Sequence, residues 1–166
     1  ILFTKEFSSA IKGETLEDSV KVMNNYSDII VLRHSEEGAS KKASLVSDIP
    51  IINAGDGAGQ HPTQALLDLY TIKKEIGRID DISVAMVGDL KNGRTIRSLT
   101  YLLGKYNKVK IYFVSPKELG ISDDLKRYLN KHEISFEERQ SLNTIIKNID
   151  VLYQTRIQEE RFMTRE

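Results

Sequence analysis

Cysteine is absent from the 166 residues of this chain. Its absence excludes disulfide bridges, a thiolate nucleophile and cysteine-based metal sites. An excess of charge is absent too, because 24 Lys and Arg residues balance 24 Asp and Glu residues. A neutral chain has no bulk attraction for nucleic acid or for an anionic membrane surface. A cationic site is still open to it, since a few arginines can converge locally.

Long apolar runs are missing as well. No stretch of the sequence is long enough to span a bilayer. The first residues, ILFTKEFSS, lack the basic segment followed by an apolar segment that defines a signal peptide. We therefore expect a cytoplasmic protein that has neither a nucleic-acid partner nor a membrane partner. The first residue is not Met and the last four are MTRE, which is compatible with a piece of a longer chain.

A regular alternation of helix and strand patterns is what the chain does contain. Apolar residues recur at helical spacing over 16–25, 38–46, 62–75, 94–106, 123–131 and 142–148, and short apolar runs cover 28–32, 50–53, 82–87, 110–114, 134–136 and 151–154. Such alternation predicts an α/β fold with parallel sheets covered by helices. Gly77 and Arg78 break the third helix. We therefore predict two doubly wound domains, residues 1–76 and 77–166, joined by that helix.

The segment from Asn53 to Ile72, NAGDGAGQHPTQALLDLYTI, joins a predicted strand to a glycine-rich loop and then to a helix. Its glycines let the backbone approach a ligand closely, and Pro62 suits the first helical turn. This arrangement places the His61 imidazole and the Gln64 amide near free backbone N–H groups, which suits an anionic ligand. Taken alone, such a loop is more often structural than catalytic.

Three other polar residues, Arg33, Asp89 and Arg156, also follow predicted strands. In open parallel sheets, ligands lie beyond the carboxyl ends of the strands. The segment Gly88–Thr95, GDLKNGRT, comes close to the phosphate-binding P-loop but carries Arg94 where that loop has Lys. No acidic strand end stands out as a metal holder. A nucleotide-binding module is therefore the second interpretation of this loop.

Taken together, the motifs resemble the carbamoyltransferase family. His-Pro-x-Gln opens a helix in the substrate loop of that family, and the lead-in Asn-Ala-Gly-Asp-Gly resembles its aspartate branch. Val-Gly-Asp-Leu-Lys-x-Gly-Arg-Thr is similar to the second-domain loop of the aspartate branch. The resemblance covers nearly the whole chain. It implies transfer of the carbamoyl group of carbamoyl phosphate to L-aspartate, in pyrimidine biosynthesis, with no metal and no organic cofactor.

The resemblance implies that Arg33, His61 and Gln64 bind carbamoyl phosphate. Attack by an amine builds negative charge on the carbonyl oxygen, and fixed donors aimed at that oxygen lower the barrier. Arg33 and His61 suit this catalytic role, while Gln64 orients the carbamoyl NH₂ group. Lys12 completes the implied catalytic set. The alternative for His61 is a structural residue that is hydrogen-bonded to the backbone.

The aspartate side of the implied site consists of Lys12, Arg94, Arg156 and Gln158. The planar fork of an arginine binds a carboxylate in bidentate fashion, so two arginines suit a dicarboxylic acid better than they suit ornithine. In the family, a Ser and a Lys reach into the active site of the neighbouring subunit, and Ser8 and Lys12 match them in spacing. The resemblance therefore implies a homotrimer, and it leaves the binding of regulatory chains open.

Several points depart from the family pattern or stay open. Ser9 is an alternative to Ser8, and His34 and His132 are expected to be structural or solvated. Two family loops are missing from the sequence: the Ser-x-Arg-Thr loop that grips the phosphate and the His-Pro-Leu-Pro loop that closes over the substrates. We therefore expect these 166 residues alone to be inactive. A carbamoyltransferase for another amine and a catalytically inactive homologue are the remaining alternatives.

Overall fold

The computed structural model describes residues 13–57 and 59–155. The chain divides into two compact units, with the division between Thr63 and Gln64. The first unit contains α1 (Leu16–Met23), β1 (Ile30–His34), α2 (Ala39–Val46) and β2 (Ile51–Asp56). The second unit contains α3 from Gln64 onward (the helix is Pro62–Ile76), β3 (Ser83–Val87), α4 (Arg94–Leu103), β4 (Lys110–Val114), α5 (Asp123–Lys131), β5 (Ser135–Arg139) and β6 (Val151–Gln154).

In the first unit, β1 and β2 form a parallel pair in which Ile30 lies opposite Ile51. The apolar runs that predicted these strands are β-branched, which suits a pleated surface. Helices α1 and α2 contribute the buried side chains Val20, Ala39 and Ala43. Since the strands are parallel, their carboxyl ends and the loops that follow them lie at the same edge of the pair.

In the second unit, four parallel strands follow the order β5-β4-β3-β6. The chain moves outward from β3 through β4 to β5 and then returns to the other side of β3 as β6. The order therefore reverses between β3 and β6. In open α/β sheets, the crevice outside the strand ends at such a reversal is where ligands bind.

Both faces of this sheet are covered. Side chains alternate between faces along each strand. One face packs against α3, α4 and α5 through a buried cluster that includes Ala65, Leu69, Ile72, Val84, Met86, Ile96, Leu99, Ile111, Phe113, Leu125 and Leu129. The other face buries Ala85, Tyr112 and Val114 against Ile145. The predicted α/β class, with parallel sheets and flanking helices, is confirmed.

Several predicted boundaries were wrong. The helix predicted over 142–148 is two short 3₁₀ turns, Leu142–Thr144 and Ile146–Asn148; one or two turns are too few to propagate a helix. Helix α4 ends at Leu103 rather than at residue 106, and Gly104 follows it. Strands β1, β2 and β5 each run two or three residues beyond the predicted ends at 32, 53 and 136.

Candidate functional site

Arg33 lies within β1 rather than after it. The register between β1 and β2 shifts between Leu32 and His34, because Leu32 pairs with Asn53 and His34 pairs with Asp56. The β2 strand thus carries one extra residue beside Arg33, and such irregularities re-aim side chains and occur next to active sites. The Arg33 side chain is exposed. The sequence placed Arg33 at the correct edge of the sheet, although it did not predict this irregularity.

Asp56, the last residue of β2, is a buried carboxylate beside the predicted site that the sequence reasoning did not single out. It is only 5% exposed. Its Oδ2 accepts from Gly38 N at 3.0 Å and its Oδ1 accepts from Gln60 N at 2.8 Å. Burial raises the pKa of Asp56, but hydrogen bonds from Gln60, Asn53 and Gly38 outweigh it and hold the pKa below its ordinary value. The carboxylate therefore ties the loop after β1 to the glycine loop after β2.

The two loops of the first unit also meet through backbone at Gly57. Its N–H donates to His34 O at 2.9 Å, and its φ is +50°. A Cβ at this position would lie 2.6 Å from Ser35 O and 2.8 Å from Glu37 N. Only glycine fits so close an approach. Ala58, the next residue, lies outside the described residues.

The amides of the glycine loop are committed within the protein. Gly57 N donates to His34 O, Gly59 N donates to Asp56 O, and Gln60 N donates to the Asp56 side chain. The sequence analysis expected free N–H groups near His61 and Gln64, and these three amides are not among them. The reason is that the buried Asp56 carboxylate and two carbonyl oxygens, those of His34 and Asp56, already accept their hydrogen bonds. These three amides are therefore not available to an anion.

His61 lies directly before α3, and Pro62 is the first residue of that helix, as predicted. The imidazole is partly buried. Its Nδ1 lies 3.3 Å from Thr63 Oγ1, and the donor of this contact depends on the tautomer. The hydroxyl orients the ring at the mouth of the loop. His34, in contrast, accepts from Glu36 N through its Nδ1 at 3.0 Å, which is a local turn contact.

Gln64 lies one turn before Asp68 on α3, and its Nε2 donates to Asp68 Oδ1 at 2.9 Å. The phenol of Tyr153 on β6 lies close to this carboxylate. Burial raises the pKa of Tyr153, the Asp68 charge raises it further, and Thr95 opposes the shift. Asp68, Thr95 and Tyr153 were not singled out in the sequence. The spacing of four residues between Gln64 and Asp68 on a helix was the available signal.

The loop after β3 is built around Gly88 and Asp89. Gly88 has a φ of +121°, and a Cβ there would lie 2.8 Å from Thr155 Cγ2 and 2.9 Å from Thr155 O. Thr155 N also donates to Val87 O at 2.9 Å. The loops after β3 and β6 are therefore in contact at the reversal of strand order. Arg94 is the first residue of α4 and is partly buried.

Three amides of this loop donate within the protein. Leu90 N and Lys91 N donate to Leu119 O at 3.0 and 3.1 Å, and Asn92 N donates to Asp89 Oδ1 at 3.1 Å. A P-loop holds phosphates with the amides of its glycine-rich loop. Because these three amides are used internally, the geometry disfavours a nucleotide-binding module.

Four residues of the predicted site, and one alternative, lie outside the described residues: Ser8, Lys12, Arg156, Gln158 and Ser9. Arg156 directly follows Thr155, whose backbone is fixed against β3. Within residues 13–57 and 59–155, no group of three or more His, Asp or Glu side chains is arranged to hold a metal ion. The same part of the chain contains no helix that is long and apolar enough to cross a membrane.

Two family models match the chain, one in each half. A family model described as "Aspartate/ornithine carbamoyltransferase, carbamoyl-P binding domain" matches residues 1–74. A second, described as "Aspartate/ornithine carbamoyltransferase, Asp/Orn binding domain", matches residues 80–166. The chain belongs to the aspartate/ornithine carbamoyltransferase family. The first model covers the glycine loop with His61, and the second covers the loop with Arg94.

Individual carbamoyltransferases show high similarity to the chain. It is 60% identical over 161 residues to the chloroplastic aspartate carbamoyltransferase of Arabidopsis thaliana, covering 97% of this chain and 41% of the relative. It is 58% identical over 155 residues to the aspartate carbamoyltransferase catalytic subunit of Methanocaldococcus jannaschii, covering 93% of this chain and 51% of the relative. The chain thus spans about half, or somewhat less, of the length of these relatives.

Solved carbamoyltransferase structures share the fold. The catalytic subunit of the M. jannaschii aspartate transcarbamoylase has a TM-score of 0.88 at 56% identity, covering 98% of this chain and 53% of that chain. The aspartate transcarbamoylase of Trypanosoma cruzi in complex with carbamoyl phosphate has a TM-score of 0.89 at 41% identity, covering 98% of this chain and 52% of that chain.

Proposed function

We propose that the protein transfers the carbamoyl group of carbamoyl phosphate to the amino group of L-aspartate. The products are N-carbamoyl-L-aspartate and phosphate, and the reaction belongs to pyrimidine biosynthesis. The observation that carries the proposal is one chain in which His61 and Gln64 open α3 and Arg94 opens α4. The T. cruzi aspartate transcarbamoylase, which has the same fold, has been solved with carbamoyl phosphate and with aspartate and phosphate.

The chemistry of the carbamoyl group assigns roles to the first unit. The aspartate amine attacks the carbamoyl carbon, the C–O bond to phosphate breaks, and the departing phosphate can take the amine proton. Arg33 and His61 stabilise the negative charge that develops on the carbonyl oxygen. Because the Gly57, Gly59 and Gln60 amides donate within the protein, we assign the donors to these side chains. Positioning and electrostatics are then the whole contribution of the protein.

The loops after β3 and β6 suit the amino acid substrate. Arg94 opens α4, and the contact of Gly88 with Thr155 brings its loop to the residue that precedes Arg156. Two guanidinium groups match the two carboxylates of aspartate, whereas the side chain of ornithine is cationic. Gln158 and Lys12 complete the proposed aspartate site.

The proposed enzyme is a homotrimer in which Ser8 and Lys12 act in the neighbouring subunit, and it leaves regulatory chains possible. We propose the functional boundary near residue 76, which lies between the end of the first family model at residue 74 and the start of the second at residue 80. We also propose a cytoplasmic location, although the plant relatives are named chloroplastic.

The test is carbamoyl transfer by the purified protein, with aspartate and ornithine measured side by side and with an intact mass determined. Product with aspartate alone supports the proposal. Product with ornithine, or with another amine only, moves the protein to a different carbamoyltransferase activity. A complete chain that gives no product with either amine points to an inactive homologue. Stabilisation of the fold by ATP, without stabilisation by carbamoyl phosphate, would favour nucleotide binding.

A further inference from the structure

Asp68 occupies an unusual position on α3. Its Oδ1 accepts from Gln64 Nε2 at 2.9 Å. Its Oδ2 is buried and has no hydrogen-bond partner among the residues that the structure describes. The residue as a whole is only partly buried, but a buried polar atom without a hydrogen-bond partner is costly and calls for an explanation.

The contact with Asp68 decides which way the Gln64 amide points. An ionised carboxylate only accepts hydrogen bonds, whereas an amide has a donor end and an acceptor end that look alike in shape. Gln64 must therefore turn its Nε2 toward Asp68, which turns its Oε1 away. The Oε1 atom is an acceptor, and the NH₂ of a carbamoyl group is a donor.

Asp68 is held where three elements of the second unit meet. Tyr153 on β6 lies near its carboxylate, and Thr95 on α4, the residue after Arg94, interacts with the same phenol. Burial raises the pKa of Tyr153, the Asp68 charge adds to this rise, and Thr95 opposes it. The phenol therefore stays neutral at physiological pH. The carboxylate of Asp68 faces the Gln64 amide and the Tyr153 phenol.

We propose that Asp68 is a positioning residue for the carbamoyl donor: its carboxylate fixes the Gln64 amide so that Oε1 accepts a hydrogen bond from the carbamoyl NH₂. The inference rests on the proposed function, because it assigns a carbamoyl group to Gln64. Asp68 itself touches no reacting atom. It acts by disfavouring the opposite orientation of the Gln64 amide, in which the Nε2 group would direct its N–H donors at the NH₂ of the substrate.

The test compares carbamoyl phosphate with acetyl phosphate, in which a methyl group replaces the NH₂. The complete protein carries Asp68→Asn, and the matched control is Glu75→Gln, which removes one charge from an exposed position of the same helix. In Asp68→Asn we expect the KM for carbamoyl phosphate to rise about tenfold, as for one lost hydrogen bond. The inhibition constant of acetyl phosphate should change less than about twofold, as both constants should in the control.

The ratio of the two constants does not depend on the folded fraction, so partial unfolding of Asp68→Asn leaves the test valid. In a Gln64→Ala background, Asp68→Asn should have no further effect on this ratio. Equal weakening of both phosphates, or a ratio shift that persists in Gln64→Ala, would overturn the inference while transfer to aspartate by the wild type still supports the proposed function. Failure of the wild type to transfer a carbamoyl group would remove the proposed function and this inference with it.

Discussion

Two segments of the molecule follow the same plan. Each has a parallel strand, a loop with glycines and a buried aspartate, and a helix that begins at or next to a residue proposed to bind substrate. In the first segment the aspartate is Asp56, 5% exposed, and His61 precedes α3. In the second it is Asp89, 3% exposed, and Arg94 opens α4.

The two aspartates differ in the sequence separation between the carboxylate and its hydrogen-bond donors. Asp56 accepts from Gly38, 18 residues upstream, as well as from Gln60. Asp89 accepts from the backbone and the side chain of Asn92, three residues ahead. Both units join neighbouring loops through a crowded glycine, Gly57 in the first and Gly88 in the second, and the first unit adds the carboxylate of Asp56 as a bridge between loops. The long-range carboxylate bridge is therefore what distinguishes Asp56 from the local contact of Asp89 with Asn92.

The largest expected effects separate the chemistry of the two segments. His61→Ala should lower kcat by about 10²–10³, or about 2.7–4 kcal/mol, if the imidazole stabilises the carbonyl oxygen. Arg94→Ala should raise the KM for aspartate and spare carbamoyl phosphate binding. Steady-state kinetics with each substrate varied in turn measures both. Variants that affect both substrates to the same extent would contradict this division.

Alanine at the two crowded glycines should destabilise both units. Gly57→Ala and Gly88→Ala each combine a positive φ with a clash against backbone, so each should lower the free energy of unfolding by about 3 kcal/mol. Gly38 and Gly77 also have positive φ but have nothing within 4 Å of a Cβ, so alanine there should cost only about 1 kcal/mol. Denaturant titration tests the difference, and equal losses at crowded and open glycines would refute it.

Replacing each aspartate by asparagine tests whether the long-range hydrogen bonds of Asp56 contribute more to stability than the local ones of Asp89. Asp56→Asn keeps one oxygen for two backbone donors and should cost about 2 kcal/mol, whereas Asp89→Asn, which disturbs local hydrogen bonds from Asn92, should cost about 1 kcal/mol. The folded pKa of Asp56 is lowered, so its contribution is present above the ordinary aspartate pKa and is lost as pH falls through the folded value. The gap between wild type and Asp56→Asn in urea titrations should therefore shrink below about pH 4.

The smallest expected effect belongs to the surface pair of Arg97 and Asp124 in the second unit. Hydrogen bonds from Arg97 and Ser122 lower the pKa of Asp124 to about 2. The pair should stabilise the fold above pH 4 and lose this contribution as pH falls towards 2. Asp124 is 46% exposed, so Asp124→Asn should cost only about 0.5 kcal/mol at neutral pH. A constant difference between wild type and variant from pH 6 to pH 2 would exclude this account.

The sequence predicted what depends on local pattern. The apolar runs gave the strands, and proline at position 62 marked the start of α3. The sequence could not predict contacts between residues that lie far apart along the chain, such as the hydrogen bond between Gly38 and Asp56. The extension of β5 through its charged end was also hidden, because Glu137 and Glu138 are accommodated in a strand by Lys110, at 2.5 Å, and Lys126, at 2.7 Å. Charge alone made that segment resemble a loop.

Helix α3 has a practical consequence for anyone who divides the chain. Its buried face, Ala65, Leu69 and Ile72, packs into the core beside β3 and α4. The sequence pattern and the second family model start the second half at residues 77 and 80. A truncated chain that starts at either residue would lack the α3 side chains of that core. A segment that starts at Pro62 keeps them. In any recombination between relatives, this helix should travel with the half that follows it.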